Sequence, residues 1–195
     1  MSNKKNRNTK GRIIDAAWKL FYRKGYDDTT IDEIIDESET SRGSFYHYFK
    51  GKDSLLSSLS YLFDEKYTEL EKSLKDEKGS FEKLMFLNSE LFGYIEKNIS
   101  VDLLARLYSS QLITKGCRHL LDYNRIYYKL LQKIVVEGQE KGELCTNVTA
   151  DEIVKTYALC ERALIYDWCM HDGEYSLKSY SEQKMPVFLS GYKKI

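Results

Sequence analysis

Two short amphipathic segments in residues 29–52, which read TTIDEIIDESETSRGSFYHYFKGK, constrain the fold of this chain more than any other feature. Thr30 and Glu33 form a capping-box pattern, in which the threonine hydroxyl accepts the Glu33 amide proton and the glutamate side chain reaches back to the Thr30 amide. The isoleucines that follow fall on one face at helical spacing. A tight turn then leads to Ser41, a residue suited to cap a second helix. The pattern therefore predicts two short helices joined by a turn.

The second predicted helix has two faces of different chemistry. Phe45 and Phe49 recur at helical spacing on one face, whereas the opposite face carries cationic, hydroxyl and phenol groups and a glycine. Such a face suits a helix in the major groove of DNA, because arginine reads guanine edges and polar side chains hold phosphates. The residues predicted to contact DNA are Thr29, Thr30, Ser41, Arg42, Gly43, Ser44, Tyr46, His47, Lys50 and Lys52. Taken alone, the helix is equally compatible with an ordinary amphipathic helix whose outer face is only solvated.

Residues 10–56 contain three segments in a recognisable order, AAWKLFYRKGYDDTT, TTIDEII and SRGSFYHYFKGKDSLL. In these segments the chain resembles the DNA-binding part of the tetracycline-repressor (TetR) family of bacterial regulators. The family pattern runs A-x-x-L-F-x-x-x-G-[FY]-x-x-T-[ST], a short helix, then S-[KR]-G-[ST]-[LF]-Y-x-[YH]-F-x-[SGN]-K. One departure is the turn, which usually reads A-G-V-S in the family and is Ser38-Glu39-Thr40-Ser41 here, so that Glu39 places a negative charge near the DNA.

The resemblance implies a ligand-responsive transcriptional regulator, usually a repressor, that binds a roughly palindromic operator as a homodimer. In the family, the helix that follows the DNA-binding unit, predicted here over residues 53–75, carries the ligand signal to the DNA reader. We therefore predict a helix-turn-helix DNA-binding domain over residues 1–52 and a helical effector-binding and dimerisation domain over residues 53–195.

The composition agrees with an all-α protein, since one proline in 195 residues leaves long stretches free to form helices. Hydrophobic periodicity predicts the helices after the polar segment 1–9, which is predicted to be a disordered arm. The predicted helices cover residues 10–24, the two short helices above, 53–75, 81–97, 100–114, 118–141, 150–171 and 177–192.

The charge distribution favours DNA binding more than the net charge does. The net charge is zero, which by itself argues against a nucleic-acid partner. Residues 1–52 hold 11 Lys and Arg against 8 Asp and Glu, whereas residues 53–195 hold 19 against 22. The basic excess therefore lies in the predicted DNA-binding domain.

No motif for catalysis, phosphate binding or metal binding is visible. The sequence has no G-x-G-x-x-G, no G-x-x-x-x-G-K-[ST] and no G-x-S-x-G. The four cysteines (Cys117, Cys145, Cys160 and Cys169) lack zinc-site spacing and are interpreted as reduced thiols, although a redox role stays open. No apolar run approaches the roughly 18 residues of a membrane span. We therefore expect a cytoplasmic protein that is not an enzyme and has no cofactor or metal.

Aromatic residues are abundant in residues 53–195, which hold 12 Tyr, 5 Phe and 1 Trp. Apolar walls with a few polar groups are typical of small-molecule sites, and tyrosine supplies ring area and a hydroxyl together. The predicted ligand-binding residues are Phe86, Phe92, Tyr108, Tyr123, Tyr127 and Tyr157. Core packing is the stronger interpretation for each residue singly, whereas the set favours a cavity for an apolar or aromatic effector with tyrosine hydroxyls as its polar contacts.

The helix predicted over 150–171 is apolar on more than one side, which exceeds what one buried face requires. We predict that it and the helix over 177–192 pair with their copies in a homodimer. Two alternatives stay open at the sequence level. One is a helix-turn-helix protein controlled by a protein partner, which a second domain without a cavity would support. The other is an enzyme with an appended DNA-binding unit, which would need a convergent polar site.

Overall fold

A computed structural model describes residues 2–74, 78–113, 115 and 118–194 of the chain. These residues are almost all in helices and connecting turns, and the only β-type pairing among them is a single antiparallel bridge between Leu144 and Lys193. The predicted all-α fold is confirmed. The chain divides into two compact units, Met1–Leu59 and Ser60–Ile195.

The first unit contains a core of three helices followed by a short fourth helix. The helices are α1 (Ser2–Lys24), α2 (Ile31–Glu37), α3 (Arg42–Tyr48) and α4 (Lys52–Leu56). Both short helices α2 and α3 pack on α1. The core that they share is fully buried at Ile13, Ile34 and Phe45, as the apolar spacing predicts.

Two features of this unit differ from the sequence prediction. Helix α1 begins at Ser2, so the predicted disordered arm over residues 1–9 is wrong for the described part of that segment, which contains neither proline nor glycine to stop a helix. The helix predicted over 53–75 is two helices, because Ser58 closes a turn on Leu55 and accepts a 2.8 Å hydrogen bond from Trp18 Nε1.

The domain boundary predicted after Lys52 stays a prediction, whereas the compact units divide after Leu59. Contacts between α4 and the loop after α1 explain the later division. The Tyr26 hydroxyl donates to Asp53, and the Lys52 ammonium donates to the Tyr26 carbonyl oxygen at 2.6 Å.

The second unit is a bundle in which α10 packs against α6 and α9, while α9 also packs against α7 and α8. The helices are α5 (Leu59–Ser73), α6 (Ser80–Asn98), α7 (Val101–Ile113), α8 (Ile126–Glu140), α9 (Ala150–Met170) and α10 (Leu177–Leu189), with 3₁₀ turns at His119–Leu121 and Ser190–Tyr192. Buried leucine, isoleucine and aromatic side chains from α6, α8 and α9 fill the centre of the bundle.

Helix α8 begins at Ile126, so the helix predicted over 118–141 is wrong in its first part. Asp122 accepts the backbone amide proton of Asn124 at 2.9 Å, a local side-chain bond that competes with helix formation. Arg125 then caps α8, and its guanidinium makes a buried ion pair with Asp64 of α5 at 3.0 Å. Helix α10 continues through Pro186 and ends three residues later at Leu189.

Candidate DNA-binding face and ligand cavity

Local capping fixes both short helices of the first unit. The Thr30 amide donates to Glu33 Oε2 at 2.8 Å, and the Glu33 amide donates to Thr30 Oγ1 at 3.3 Å, which confirms the predicted capping box. The Lys24 ammonium and the Thr30 amide both donate to the Glu33 carboxylate, and they lower its pKa to about 2. Ser41 accepts the Ser44 amide proton at 3.1 Å, as predicted for the cap of α3.

The turn between α2 and α3 places Glu39 in the left-handed region, with φ of +50°. The Thr40 amide donates to the Ile35 carbonyl and the Glu39 amide donates to the Asp36 carbonyl, the two bonds of a Schellman C-cap. Glycine is the residue that adopts this conformation without a Cβ penalty. The turn geometry is therefore kept in this chain even though glutamate occupies the position.

The outer face of α3 is exposed, as predicted for a DNA-reading helix. Arg42, Tyr46 and His47 are exposed on it, and Lys50, which follows the helix, is exposed as well. A Cβ added to Gly43 would meet nothing closer than 3.9 Å, so this glycine is not required by packing within the protein. The backbone of α3 is therefore accessible at its first turn, where the recognition helix of such motifs contacts base edges.

The Arg42 guanidinium is paired with the Asp32 carboxylate of α2, with 2.7 Å between Nη2 and Oδ1. Both side chains are about two-thirds exposed, so the pair contributes little to stability. This pairing could not be predicted from the sequence, because the two residues belong to different helices. Arg42 would therefore have to exchange Asp32 for a base when the protein binds DNA.

Two of the ten predicted DNA-contacting residues face the protein instead of solvent. Thr29 is buried and its hydroxyl donates to the Gly25 carbonyl at 2.7 Å. The Lys52 ammonium donates to carbonyl oxygens of Tyr26, Asp27 and Thr29, at 2.6, 3.2 and 2.9 Å. These side chains hold the loop between α1 and α2, and the prediction that they contact DNA stays a prediction.

The second unit contains a largely apolar cavity of about 700 Å³. We call it the main cavity. It is formed by α7, the following 3₁₀ turn, α9 and α10, and its lining residues are Tyr108, Gln111, Leu112, Arg118, Leu120, Leu121, Leu159, Arg162, Ala163, Leu164, Tyr166, Asp167, Tyr180 and Phe188. This volume lies within the range of about 300–1,000 Å³ that is typical of small-molecule sites.

The charged groups of the main cavity already have partners within the protein. Arg118 Nε donates to the Gln111 carbonyl at 2.8 Å, and Arg162 Nη1 donates to the Tyr128 hydroxyl at 3.3 Å. Asp167 accepts a hydrogen bond from the Tyr175 hydroxyl at 2.7 Å. The surface that remains for a ligand is therefore mostly hydrocarbon and aromatic.

Beside the main cavity lies a space of about 40 Å³, which we call the inner cavity. Its lining includes Glu161 of α9, which is 4% exposed and accepts hydrogen bonds from Asn88 Nδ2 at 2.9 Å and from the Tyr127 hydroxyl at 2.7 Å. Burial raises the pKa of Glu161 above its ordinary value, while these donors oppose the shift. A titratable group is thus held in the middle of the bundle.

The structure separates the six predicted ligand residues into four groups. Tyr108 lines both cavities and Tyr127 lines the inner one. Phe92 and Tyr157 are fully buried and line neither, and the Tyr157 hydroxyl donates to the Leu84 carbonyl at 2.9 Å. Tyr123 is exposed and stacks on Tyr128.

Phe86 is half-buried beneath the Lys78 ammonium, which lies 4.7 Å from its ring centroid, and it lines neither cavity. Three residues of the main cavity were not predicted, namely Leu159, Tyr166 and Phe188. Each of them is about half exposed. The signal available in the sequence was the presence of these large apolar residues on otherwise polar helix faces.

Helices α9 and α10 expose an apolar patch. Its members are Leu159, Tyr166, Met170, Val187 and Phe188, which are between 48% and 67% exposed. Contiguous exposed apolar surface of this kind marks association sites. The patch lies on α9 and α10, the two helices for which the sequence predicts dimer contacts.

Three cysteines within the described residues are half-buried free thiols, namely Cys145, Cys160 and Cys169. Burial raises the pKa of Cys160 and raises that of Cys169 to about 11, which disfavours the reactive thiolate. The fourth cysteine, Cys117, lies outside the described residues. Within the described ranges no group of three or more potential ligands could hold a metal ion.

Two family profiles match the chain and together cover most of it. Residues 13–59 match the family described as "Bacterial regulatory proteins, tetR family", and residues 63–191 match "YsiA-like protein, C-terminal region". The chain belongs to the TetR family, and it is a DNA-binding transcriptional regulator of this ligand-responsive class.

Individual relatives extend over both units. The chain is 25% identical over 195 residues to the fatty acid metabolism regulator protein of Bacillus subtilis, with 92% of this chain and 93% of the relative covered. It is 28% identical over 145 residues to the HTH-type transcriptional regulator QacR of Staphylococcus aureus, with 72% and 76% covered.

Solved structures share the fold. The transcriptional regulator FadR from Bacillus subtilis in complex with stearoyl-CoA has a TM-score of 0.70 at 24% identity, with 92% of this chain and 97% of that chain covered. FadR from Thermus thermophilus in complex with lauroyl-CoA has a TM-score of 0.78 at 23% identity, with 93% of each chain covered. None of the helices in the described residues combines the length and apolar character needed to cross a membrane.

Proposed function

We propose that this protein is a homodimeric repressor that binds a roughly palindromic operator and is released from it by an apolar effector in the main cavity. The observation that carries the proposal is the cavity itself, with its volume of about 700 Å³ and its mostly apolar lining. The role is regulatory and not catalytic, and we place it in the cytoplasm with the operator DNA.

Long acyl chains are the effector class that we favour. Two FadR proteins with the same fold bind stearoyl-CoA and lauroyl-CoA. The leucines and aromatic rings of the main cavity suit a hydrocarbon chain, whose transfer from water is favourable in proportion to the apolar area buried. A charged head group would have to lie at the mouth, where Arg118 is exposed, because a buried charge without a partner is costly.

The exposed patch on α9 and α10 supports the homodimer. Leu159, Tyr166 and Phe188 belong both to the patch and to the lining of the main cavity. A partner seated on the patch would therefore also cover part of the cavity, which couples occupancy of the cavity to the arrangement of the two subunits. Half-sites in such operators lie about 34–36 Å apart or a multiple of that distance, so a changed arrangement would weaken operator binding.

The alternative hypothesis, a helix-turn-helix protein controlled by a protein partner without a small-molecule effector, predicts a fully packed second domain. The presence of the main cavity argues against that alternative. We therefore take ligand control as the proposal and use the same experiment to test both.

The test begins with an operator selected by the purified protein from random-sequence DNA. Operator affinity is then measured by fluorescence anisotropy with and without lauroyl-CoA, stearoyl-CoA and the corresponding free fatty acids. At least one of these compounds should bind and lower the operator affinity, and operator DNA should lower its affinity by the same factor. If all of them fail to bind, or if all bind without changing operator affinity, the proposed control by acyl chains is wrong.

A further inference from the structure

The inner cavity contains a buried hydroxyl group that lacks a protein partner. The Tyr67 side chain of α5 is 1% exposed, lines this cavity, and its hydroxyl makes no hydrogen bond with any described residue. A buried donor left unsatisfied costs free energy comparable to a lost hydrogen bond. The hydroxyl is thus positioned to donate to a group placed in the cavity.

The second polar group on the wall of the inner cavity is Glu161. Asn88 and Tyr127 each donate to one of its carboxylate oxygens, and Tyr157 is a third hydrogen-bond partner. A carboxylate has about four acceptor positions, so further acceptor capacity remains. The nearby Glu161 charge adds to the effect of burial in raising the pKa of Tyr67, which is consistent with the two groups facing the same small space.

We propose that the inner cavity is a polar subsite that receives a hydroxyl group at the end of an otherwise apolar effector. A hydroxyl can accept a hydrogen bond from Tyr67 and donate one to Glu161 at the same time. The volume of about 40 Å³ is sufficient for a group of that size. The inference rests on the proposed function, because the rest of the effector must lie in the main cavity.

The two cavities adjoin through shared lining residues, namely Tyr108, Leu120 and Arg162. A chain in the main cavity can therefore direct its terminus toward Tyr67. Charged termini fit less well. A carboxylate cannot donate to Glu161 and would be repelled by it, and an ammonium has no lone pair with which to accept the hydrogen bond from Tyr67.

Four probes with the same hydrocarbon chain separate these possibilities: decanol, decyl methyl ether, decanoate and decylammonium. Binding is measured by titration calorimetry on the full-length protein. Decanol should bind at least about tenfold more tightly than the ether, which cannot donate to Glu161 and carries an extra methyl group. Decanoate and decylammonium should both bind more weakly than decanol.

Two variants assign the preference to the subsite. Tyr67→Phe should weaken decanol binding about tenfold, because the alcohol oxygen accepts a hydrogen bond from the Tyr67 hydroxyl. The ether oxygen can accept the same bond, so ether binding should fall as well. The same variant should keep or raise the melting temperature, since it removes a buried hydroxyl without a protein partner. Tyr22→Phe removes the hydroxyl of an exposed tyrosine of α1 that lines neither cavity, and it is the matched control, with no expected change.

Unchanged decanol affinity in Tyr67→Phe overturns the inference. A lower melting temperature together with that unchanged affinity would show that Tyr67 serves a buried water molecule instead. If decanol and the ether bind equally and Leu120→Trp blocks both, the subsite fails while the main cavity stands. If none of the probes binds, the subsite and the apolar effector fail together.

Discussion

The two units of this protein hold their sites in opposite ways. In the first unit most candidate DNA-contacting groups lie on the seven-residue helix α3 or at its cap, and local caps at Thr30 and Ser41 fix α2 and α3. In the second unit the candidate ligand site lies between helices that are far apart in the sequence, from Tyr108 to Phe188. A site on one helix can be inferred from a motif, whereas a site between helices depends on packing.

The largest expected effect on the site of the first unit is the loss of operator affinity in Arg42→Ala. Operator binding should weaken by about 1–3 kcal/mol, with relaxed preference at one base position, because arginine reads guanine through paired hydrogen bonds. Arg106→Ala removes a cation from α7 of the second unit and should leave operator affinity unchanged. Anisotropy titrations on sequence variants of the operator measure both. Equal operator affinities for the wild type and Arg42→Ala would remove Arg42 from the candidate DNA contacts.

The next effect concerns the buried acid of the second unit. Burial raises the pKa of Glu161 above its ordinary value of 4.5, so the folded protein holds this proton more tightly than the unfolded chain. The contribution of this pKa difference to the free energy of unfolding is fully present below the ordinary pKa. It is lost as the pH rises through the raised pKa of the folded state.

Glu161→Gln removes that titration. The unfolding free energy of the wild type, relative to this variant, should therefore decrease as the pH rises above 4.5. Urea unfolding at a series of pH values measures the difference. A wild-type curve parallel to that of the variant would show that Glu161 does not have a raised pKa.

A smaller effect is expected at the turn of the first unit. Glu39→Gly should stabilise this unit by about 1 kcal/mol, because the left-handed conformation is unfavourable for a residue with a Cβ atom. Glu39→Gln keeps the Cβ atom and removes the charge, so it should not share the gain in stability. Both variants should bind the operator more tightly at low salt if the Glu39 charge lies near the DNA. Thermal unfolding that shows the same gain in both variants would contradict the account of the turn.

The smallest expected effect on stability is that of Gly43→Ala. The new methyl group meets only the Ser41 hydroxyl, at an ordinary contact distance of 3.9 Å, and alanine favours a helix more than glycine, so stability should rise by a few tenths of a kcal/mol. Operator affinity should nevertheless fall if the α3 backbone approaches DNA closely. Unfolding and anisotropy on the same preparation separate the two effects. An unchanged operator affinity would show that Gly43 is not a point of close approach.

Much of the first unit could be predicted because its determinants are local. The capping box at Thr30, the cap at Ser41 and the left-handed Gly25 that follows α1 all depend on residues within a few positions of one another. The pairing of Arg42 with Asp32 and the inward position of Lys52 could not be predicted, because each depends on how two elements pack together.

The second unit was less predictable for the same physical reason. Aromatic content led to Tyr108 and Tyr127, which line the inner cavity, but it could not separate them from Tyr157, which has the same chemistry and is packed in the core. The start of α8 was missed because an Asp122 turn and the distant pairing of Arg125 with Asp64 set it. A periodic pattern reports which face is buried, and it does not report what the face encloses.

The central claim is that an apolar ligand in the second unit controls DNA reading by the first. Anisotropy on the selected operator, with decanol or an acyl-CoA added to the wild type, to Arg42→Ala and to Leu120→Trp, tests it most directly. We predict that the ligand releases the wild type from the operator. We also predict that Leu120→Trp keeps operator binding but loses the response, and that Arg42→Ala loses operator affinity but still binds the ligand. Release of Leu120→Trp at the same ligand concentration as the wild type would contradict the assignment of the main cavity as the control site.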